Sequence, residues 1–174
     1  KIIINKIQDV LKEDNRKILL LSDRKNHLND IYKVVTTNNI CTVGYYVGGM
    51  KKEKLKESEY KDLILGTFAM ANEGLDIEAL NCLILASPKS DIVQSCGRIL
   101  RKSHEGIQPL IIDMVDLFSI FENQSRKRLK YYHSKKYDVI DYTVKDITGE
   151  ILSEEPNIKQ KPVKKPIINE IDEC

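Results

Sequence analysis

Tryptophan is absent from this 174-residue chain, and its four cysteines form no C-x-x-C pair. Cys41, Cys82, Cys96 and Cys174 are widely spaced, and three of them lie beside apolar or motif residues. That pattern argues against a zinc site and for buried, reduced thiols, hence a reducing compartment. No run approaches the roughly 18 consecutive apolar residues that a membrane-spanning helix needs. No secretory leader is recognisable, and the opening residue, Lys1, reads as the start of a fragment or a processed product. An excess of one charge is lacking too: 28 Lys+Arg face 26 Asp+Glu, a net charge of +2. Whole-chain charge therefore gives no argument for a polyanionic partner, and any basic surface has to be local. There is no internal repeat and no G-x-x-x-x-G-K-[ST] phosphate loop. Gly44 to Gly49 lacks the spacing of a G-x-G-x-x-G turn.

What is present is an ordinary globular composition, 41% hydrophobic and 31% charged. A chain of this length buries roughly 70% of its unfolded surface, enough for one domain with a real core. Short apolar runs predict strands at residues 17–22, 42–46, 62–67, 82–86, 110–113 and 139–144. Helical periodicity predicts helices over 24–36, 51–57, 92–102 and 117–136, with Leu117, Ile120, Phe121 and Gln124 keeping a 3.6-residue period. Residues 1–15 read as an amphipathic helix (Ile3, Ile7, Val10, Leu11) packed on the domain that follows, 16–148. Near-continuous apolar strands separated by helices mean an α/β fold, a mostly parallel sheet with helices on both faces. From about Gly149 the composition shifts to Glu154-Glu155-Pro156 and Lys161-Pro162-Val163-Lys164-Lys165-Pro166. Residues 149–174 therefore read as a tail, disordered alone or extended along another surface.

Two runs carry chemistry. Gln94-Ser-Cys-Gly97-Arg98-Ile-Leu-Arg101 sets two guanidinium groups three residues apart, and a helix brings positions i and i+3 to one face. Two permanently charged five-donor forks aimed at one spot suit a phosphate group. Upstream lies Gly66-Thr67-Phe-Ala-Met-Ala-Asn72-Glu73-Gly74-Leu-Asp76-Ile77, between two apolar strand runs. In this order the pair resembles motifs V and VI of the superfamily-2 helicases, over roughly Arg16 to Tyr142. The fold that this implies is a C-terminal RecA-like lobe. The resemblance leans to DNA-type members, including helicases of large cytoplasmic DNA viruses of the asfarvirus and poxvirus kind. Gln-x-x-Gly-Arg departs from the His-Arg-x-Gly-Arg of DEAD-box RNA helicases.

The resemblance implies roles residue by residue. Arg98 and Arg101 correspond to the arginines that reach across an interdomain cleft to the γ-phosphate of ATP, with Gln94 sensing the nucleotide. Asp76, presented by the turn at Gly74, corresponds to a carboxylate for the ribose or for a motif VI arginine; a turn or N-cap aspartate is the alternative. Thr67, at a strand end, corresponds to a contact with a nucleic-acid phosphate, and Ser22, Arg24, Gly48 and Gly49 follow strands on the same expected edge. Such contacts fix position and read no bases. ATP with Mg2+ is then bound mainly by an N-terminal RecA-like lobe outside this chain, because no phosphate loop or Asp-Glu-x-[Asp/His] box occurs here. The implied partners are that lobe and a single nucleic-acid strand, DNA before RNA, with no membrane. The implied location is the cytoplasm, within a viral factory if the source is viral.

Some residues receive plainer assignments. Asp113 ends an apolar run in the manner of a Walker B strand but reads as structural without a phosphate loop. Arg126, Lys127 and Arg128 read as the solvated face of a helix, and Lys161 to Lys165 as a solvated tail. A double-strand translocase using the same residues, or a lobe that only binds other proteins, are the competing functions.

Overall fold

The structure, a computed structural model, describes residues 1–99, 106–116, 119–144 and 151–156. Three four-residue runs have every side chain buried: β1 (Ile18–Leu21), β3 (Leu63–Gly66) and β4 (Cys82–Leu85). A strand covered on both faces leaves no place for alternation, which is why these runs are apolar throughout. They form the middle of a five-stranded parallel sheet whose edges are β2 (Val43–Tyr46) and β5 (Leu110–Asp113). The strand order is β2-β3-β1-β4-β5.

The helices divide between the two faces. Leu20 and Ile18 pack with Ile7 and Val10 of α1 (Ile2–Val10) and with Leu28, Ile31 and Val35 of α2 (Lys25–Thr37). The alternate residues Leu19 and Leu21 face the other layer. It comprises α3 (Lys52–Glu59), α4 (Phe68–Gly74), α5 (Val93–Ile99) and α6 (Ser119–Ser134), contributing Leu55, Phe68, Ala71, Cys96 and Tyr132. The core is thus two apolar layers either side of one sheet. Gly44 of β2 lets α3 approach closely: a Cβ there would lie 2.7 Å from Ser58 Oγ and 2.9 Å from Ser58 Cα.

The predicted strands recur with boundaries shifted by a residue or two, the first helix ends at Val10 and not at residue 15, the helix expected over 92–102 is described over Val93–Ile99, and two further features differ. The segment after Thr67 is helical, with Phe68, Ala71 and Leu75 buried at a helical interval. The last predicted strand is β6 (Ile140–Val144), and it pairs antiparallel with β7 (Ile151–Pro156). Part of the segment read as a tail is therefore the second strand of a hairpin, while 157–174, including Lys161 to Lys165, fall outside the described residues.

Candidate functional site

The parallel register aligns the carboxyl ends of all five strands. Leu21 pairs with both Gly66 and Leu85, Gly66 pairs with Tyr46, and Leu85 pairs with Asp113. The next residues, Val47, Thr67, Ser22, Ala86 and Met114, therefore stand in one row at spacings of about 5 Å. Open parallel sheets bind ligands at this edge, where neighbouring strands send their connections in opposite directions. Here that point lies between β1, which leads to β2, and β4, which leads to β5. An open depression of about 700 Å³ occupies it, lined by Arg24, His27, Ser87, Pro88, Asp116 and Phe121 among others. Burial lowers the pKa of His27, so the imidazole is neutral at pH 7.

The residues assigned to a nucleic-acid strand fall along this row. Thr67 is the N-cap of α4, yet its hydroxyl makes no capping bond. The side chain is partly exposed. Arg24 is exposed at the start of α2. Gly48 and Gly49 form an exposed turn after β2, and Gly49 has a φ of +87°, a conformation that needs glycine. Ser22 differs. It is fully buried; its hydroxyl accepts the Arg24 N–H at 3.2 Å and lies 3.4 Å from His27 Nδ1. It shapes the turn that presents Arg24 and offers no surface of its own.

The residues assigned to a nucleotide fall on α4, α5 and the turn after α4. Asp91 Oδ1 accepts the Val93 N–H at 3.2 Å, fixing the start of α5. Ile92 and Cys96 then turn inward, and Ser95 Oγ reaches Asn72 Oδ1 of α4 at 3.4 Å. The two helices that carry the two sequence motifs are therefore packed together. Gln94 and Gly97 are on the exposed face, with nothing within 4 Å of a Cβ at Gly97. Arg98, four residues after Gln94, belongs to α5, and Arg101 lies outside the described residues. Gly74 is the last residue of α4, and Asp76 is exposed two residues beyond it. Among the described residues no group of three His, Cys, Asp or Glu could hold a metal ion.

One expectation is overturned. Arg128 is not on a solvated face: it is 1% exposed. Its Nε donates to Asp113 Oδ2 at 2.7 Å and its Nη1 to the Lys89 carbonyl at 2.7 Å. Tyr132 Oη donates to the same Asp113 oxygen at 3.0 Å. Burial and the Asp113 charge push the Tyr132 phenol well above its ordinary pKa, and burial first, then Asp113, pushes the Cys96 thiol up to about 12. Asp113 is the structural carboxylate that was expected, with Arg128 as its counter-ion. The signal was in the sequence: continuing the period of Phe121 and Gln124 leads to Arg128 and Tyr132. Arg126, on the outer face, pairs with Glu122 at 2.6 Å in solvent.

Lys89 was not singled out by the sequence at all. Its ammonium bonds Asp23 Oδ2 at 3.1 Å and lies 5.3 Å from the centre of the Phe68 ring. The partners are 66 and 21 residues away, so no local pattern connects them.

A sequence model described as the helicase conserved C-terminal domain matches residues 2–103, more than half of the chain. A protein of Acanthamoeba polyphaga mimivirus named as an ATP-dependent RNA helicase is 42% identical over 134 residues, 75% of this chain and 26% of that protein. A protein of Escherichia phage T5 named as a helicase is 24% identical over 137 residues, 73% of this chain and 30% of that protein. The chain thus spans less than a third of either curated relative. The C-terminal domain of the DEAD-box protein Dbp5 has the same fold, with a TM-score of 0.60, 16% identity, and coverage of 76% of this chain and 77% of that one.

Proposed function

The chain belongs to the helicase conserved C-terminal domain family, as the C-terminal RecA-like lobe of a superfamily-2 helicase, and from that premise we propose how it works. It is one half of a motor that couples ATP hydrolysis to movement along a nucleic-acid strand and to unwinding. The other half, an N-terminal RecA-like lobe, holds most of the nucleotide. The observation that carries this reading is the packing of α4 against α5 through Ser95 and Asn72, beside the aligned row of strand ends. One surface of the lobe then serves the strand and an adjoining surface serves the nucleotide.

On the nucleotide side, Arg98 and Arg101 offset the charge that develops on the transferring phosphoryl group. An arginine supplied in this way is worth about 10³- to 10⁵-fold in rate. Gln94, on the exposed face of α5, reports the phosphate to the opposite lobe, and Asp76 accepts hydrogen bonds from the ribose hydroxyls or a motif VI arginine. On the strand side, the Thr67 hydroxyl, which makes no capping bond, the Arg24 guanidinium and the open backbone at Gly48 and Gly49 hold phosphates. Arg24 provides charge, Thr67 a donor, and neither reads a base. Closure of two lobes on ATP and reopening after hydrolysis moves the complex along the strand.

DNA is the preferred strand in this reading because motif VI departs from the DEAD-box form. The RNA in the name of the mimivirus relative belongs to that protein, and competition between DNA and RNA oligonucleotides of one sequence separates the two. The test of the motor is kinetic. In the complete protein, Arg98→Ala and Arg101→Ala each lower kcat for ATP hydrolysis by about 10²-fold or more. Single-strand affinity measured without nucleotide stays the same, and Arg101→Lys rescues little because an ammonium lacks the planar fork. Full turnover in both alanine variants refutes the assignment.

A further inference from the structure

The loop of residues 86–92 joins β4 to α5, and it is held from three directions. Arg128, buried in α6, donates to the Lys89 carbonyl at 2.7 Å. Ser87 Oγ accepts the Asp23 N–H at 3.1 Å, tying the loop to the turn after β1. The Lys89 ammonium bonds Asp23 Oδ2 at 3.1 Å and sits 5.3 Å from the Phe68 ring centre.

The positions of these partners matter. Asp23 precedes Arg24, and Phe68 follows Thr67, so Lys89 touches the neighbours of both strand-holding side chains. The loop that carries Lys89 runs directly into α5, which bears Gln94 and Arg98. Its backbone is clamped by Arg128, so a shift of Asp23 or Phe68 is passed through the ammonium to a segment that cannot yield independently. Ion pairs exposed to this degree, 37% for Lys89 and 48% for Asp23, contribute little to folding. Their effect is to bias one arrangement of two loops over another.

We propose that Lys89 is a positioning residue that couples the strand-holding loops to the nucleotide-facing helix, through its contacts with Asp23 and Phe68. This rests on the motor reading above. A strand bound at Arg24 and Thr67 favours one placement of Asp23 and Phe68, Lys89 transmits that preference to the start of α5, and nucleic acid thereby accelerates hydrolysis. To the extent that the strand also changes nucleotide affinity through Lys89, that binding coupling is reciprocal, and nucleotide changes the affinity for the strand by the same factor.

The experiment compares ATP hydrolysis by the complete protein with and without a single-stranded oligonucleotide. Lys89→Met leaves the basal rate and the melting temperature near wild type and lowers the stimulation by about three- to fivefold, the scale of one half-exposed ion pair. Asp23→Asn gives a loss of similar size, the double variant is no worse than either single one, and Lys89→Arg keeps most of the stimulation. Strand affinity without nucleotide is unchanged. Undiminished stimulation in Lys89→Met overturns the inference. So does a parallel fall of basal rate, stimulated rate and melting temperature, which marks a purely structural residue. Weaker nucleotide-free strand binding with a shallower salt dependence also overturns it, since Lys89 is then a direct phosphate contact. A wild-type protein without any ATPase activity defeats the motor reading itself, which the variants alone do not.

Discussion

Replacing Arg128 with alanine removes the cation paired with a carboxylate that is mostly enclosed. The Arg128 side chain is 2% exposed and that of Asp113 is 15% exposed, at an N–O distance of 2.7 Å. Asp113 Oδ1 is buried without a hydrogen-bond partner among the described residues, so after truncation only Tyr132 Oη remains to hold the carboxylate. The Lys89 carbonyl loses its donor as well. Breaking a buried pair by removing one partner costs about 3–5 kcal/mol. The residual exposure of Asp113 places the expected loss near the lower end, about 3 kcal/mol. That is a large share of the roughly 5–15 kcal/mol by which domains are stable. At about 2–4 °C per kcal/mol for a chain of this size, the melting temperature falls by about 6–12 °C. Urea unfolding and thermal melting followed by circular dichroism measure both quantities. Arg126→Ala is the control, since its pair with Glu122 is exposed and worth at most about 0.5 kcal/mol. The double variant Arg128→Met with Asp113→Asn removes both charges, keeps an acceptor for Tyr132, and recovers a substantial part of the loss. If Arg128→Ala melts within a degree or two of wild type, the buried-pair argument is wrong.

Two further outcomes follow from packing and titration. Gly44→Ala lowers stability by about 1–3 kcal/mol in the same melts; Ser58→Ala does not relieve it, because Ser58 Cβ and Cα already stand 2.8 and 2.9 Å from the new methyl, and full relief by Ser58→Ala would contradict this geometry. Burial raises the phenol pKa of Tyr132, with the Asp113 charge adding to it, and burial likewise raises that of Tyr137. The folded chain therefore keeps these protons where the unfolded chain releases them, so stability is fully present below about pH 10 and declines as pH rises beyond it. Tyr132→Phe, compared by urea midpoint at pH 8 and pH 10.5, makes that decline shallower; an unchanged slope refutes the buried-phenol account.

Much of the lobe was legible in the chain because the signals were local. Ile18–Leu21, Leu63–Leu65 and Cys82–Leu85 read as buried strands since a strand covered on both faces cannot alternate. Thr67 and Gly48-Gly49 could be placed at strand ends for the same reason. Helix α4 was hidden because its residues were read as a motif, although Phe68, Ala71 and Leu75 already had a helical interval. Arg128 departs from what its charge implies: a guanidinium on an amphipathic helix is ordinarily solvated, and only a carboxylate at the end of β5 makes its burial tolerable. Ser22 reads as a strand-end donor, but it is fully buried beneath the turn whose Arg24 N–H its hydroxyl accepts.

The sequence by itself determined the α/β class, the two motif-bearing segments and their order, because periodicity and spacing are properties of neighbouring residues. It left open which strand lies beside which. The apolar runs are nearly interchangeable, and the order β2-β3-β1-β4-β5 is settled by the crossovers of the folded chain. The same holds for the links across the strand ends. Asp23 with Lys89 and Asp113 with Arg128 join residues 66 and 15 positions apart. Such pairs exist only once parallel register has brought the loops together, since their energy depends on distance and enclosure, which composition does not encode.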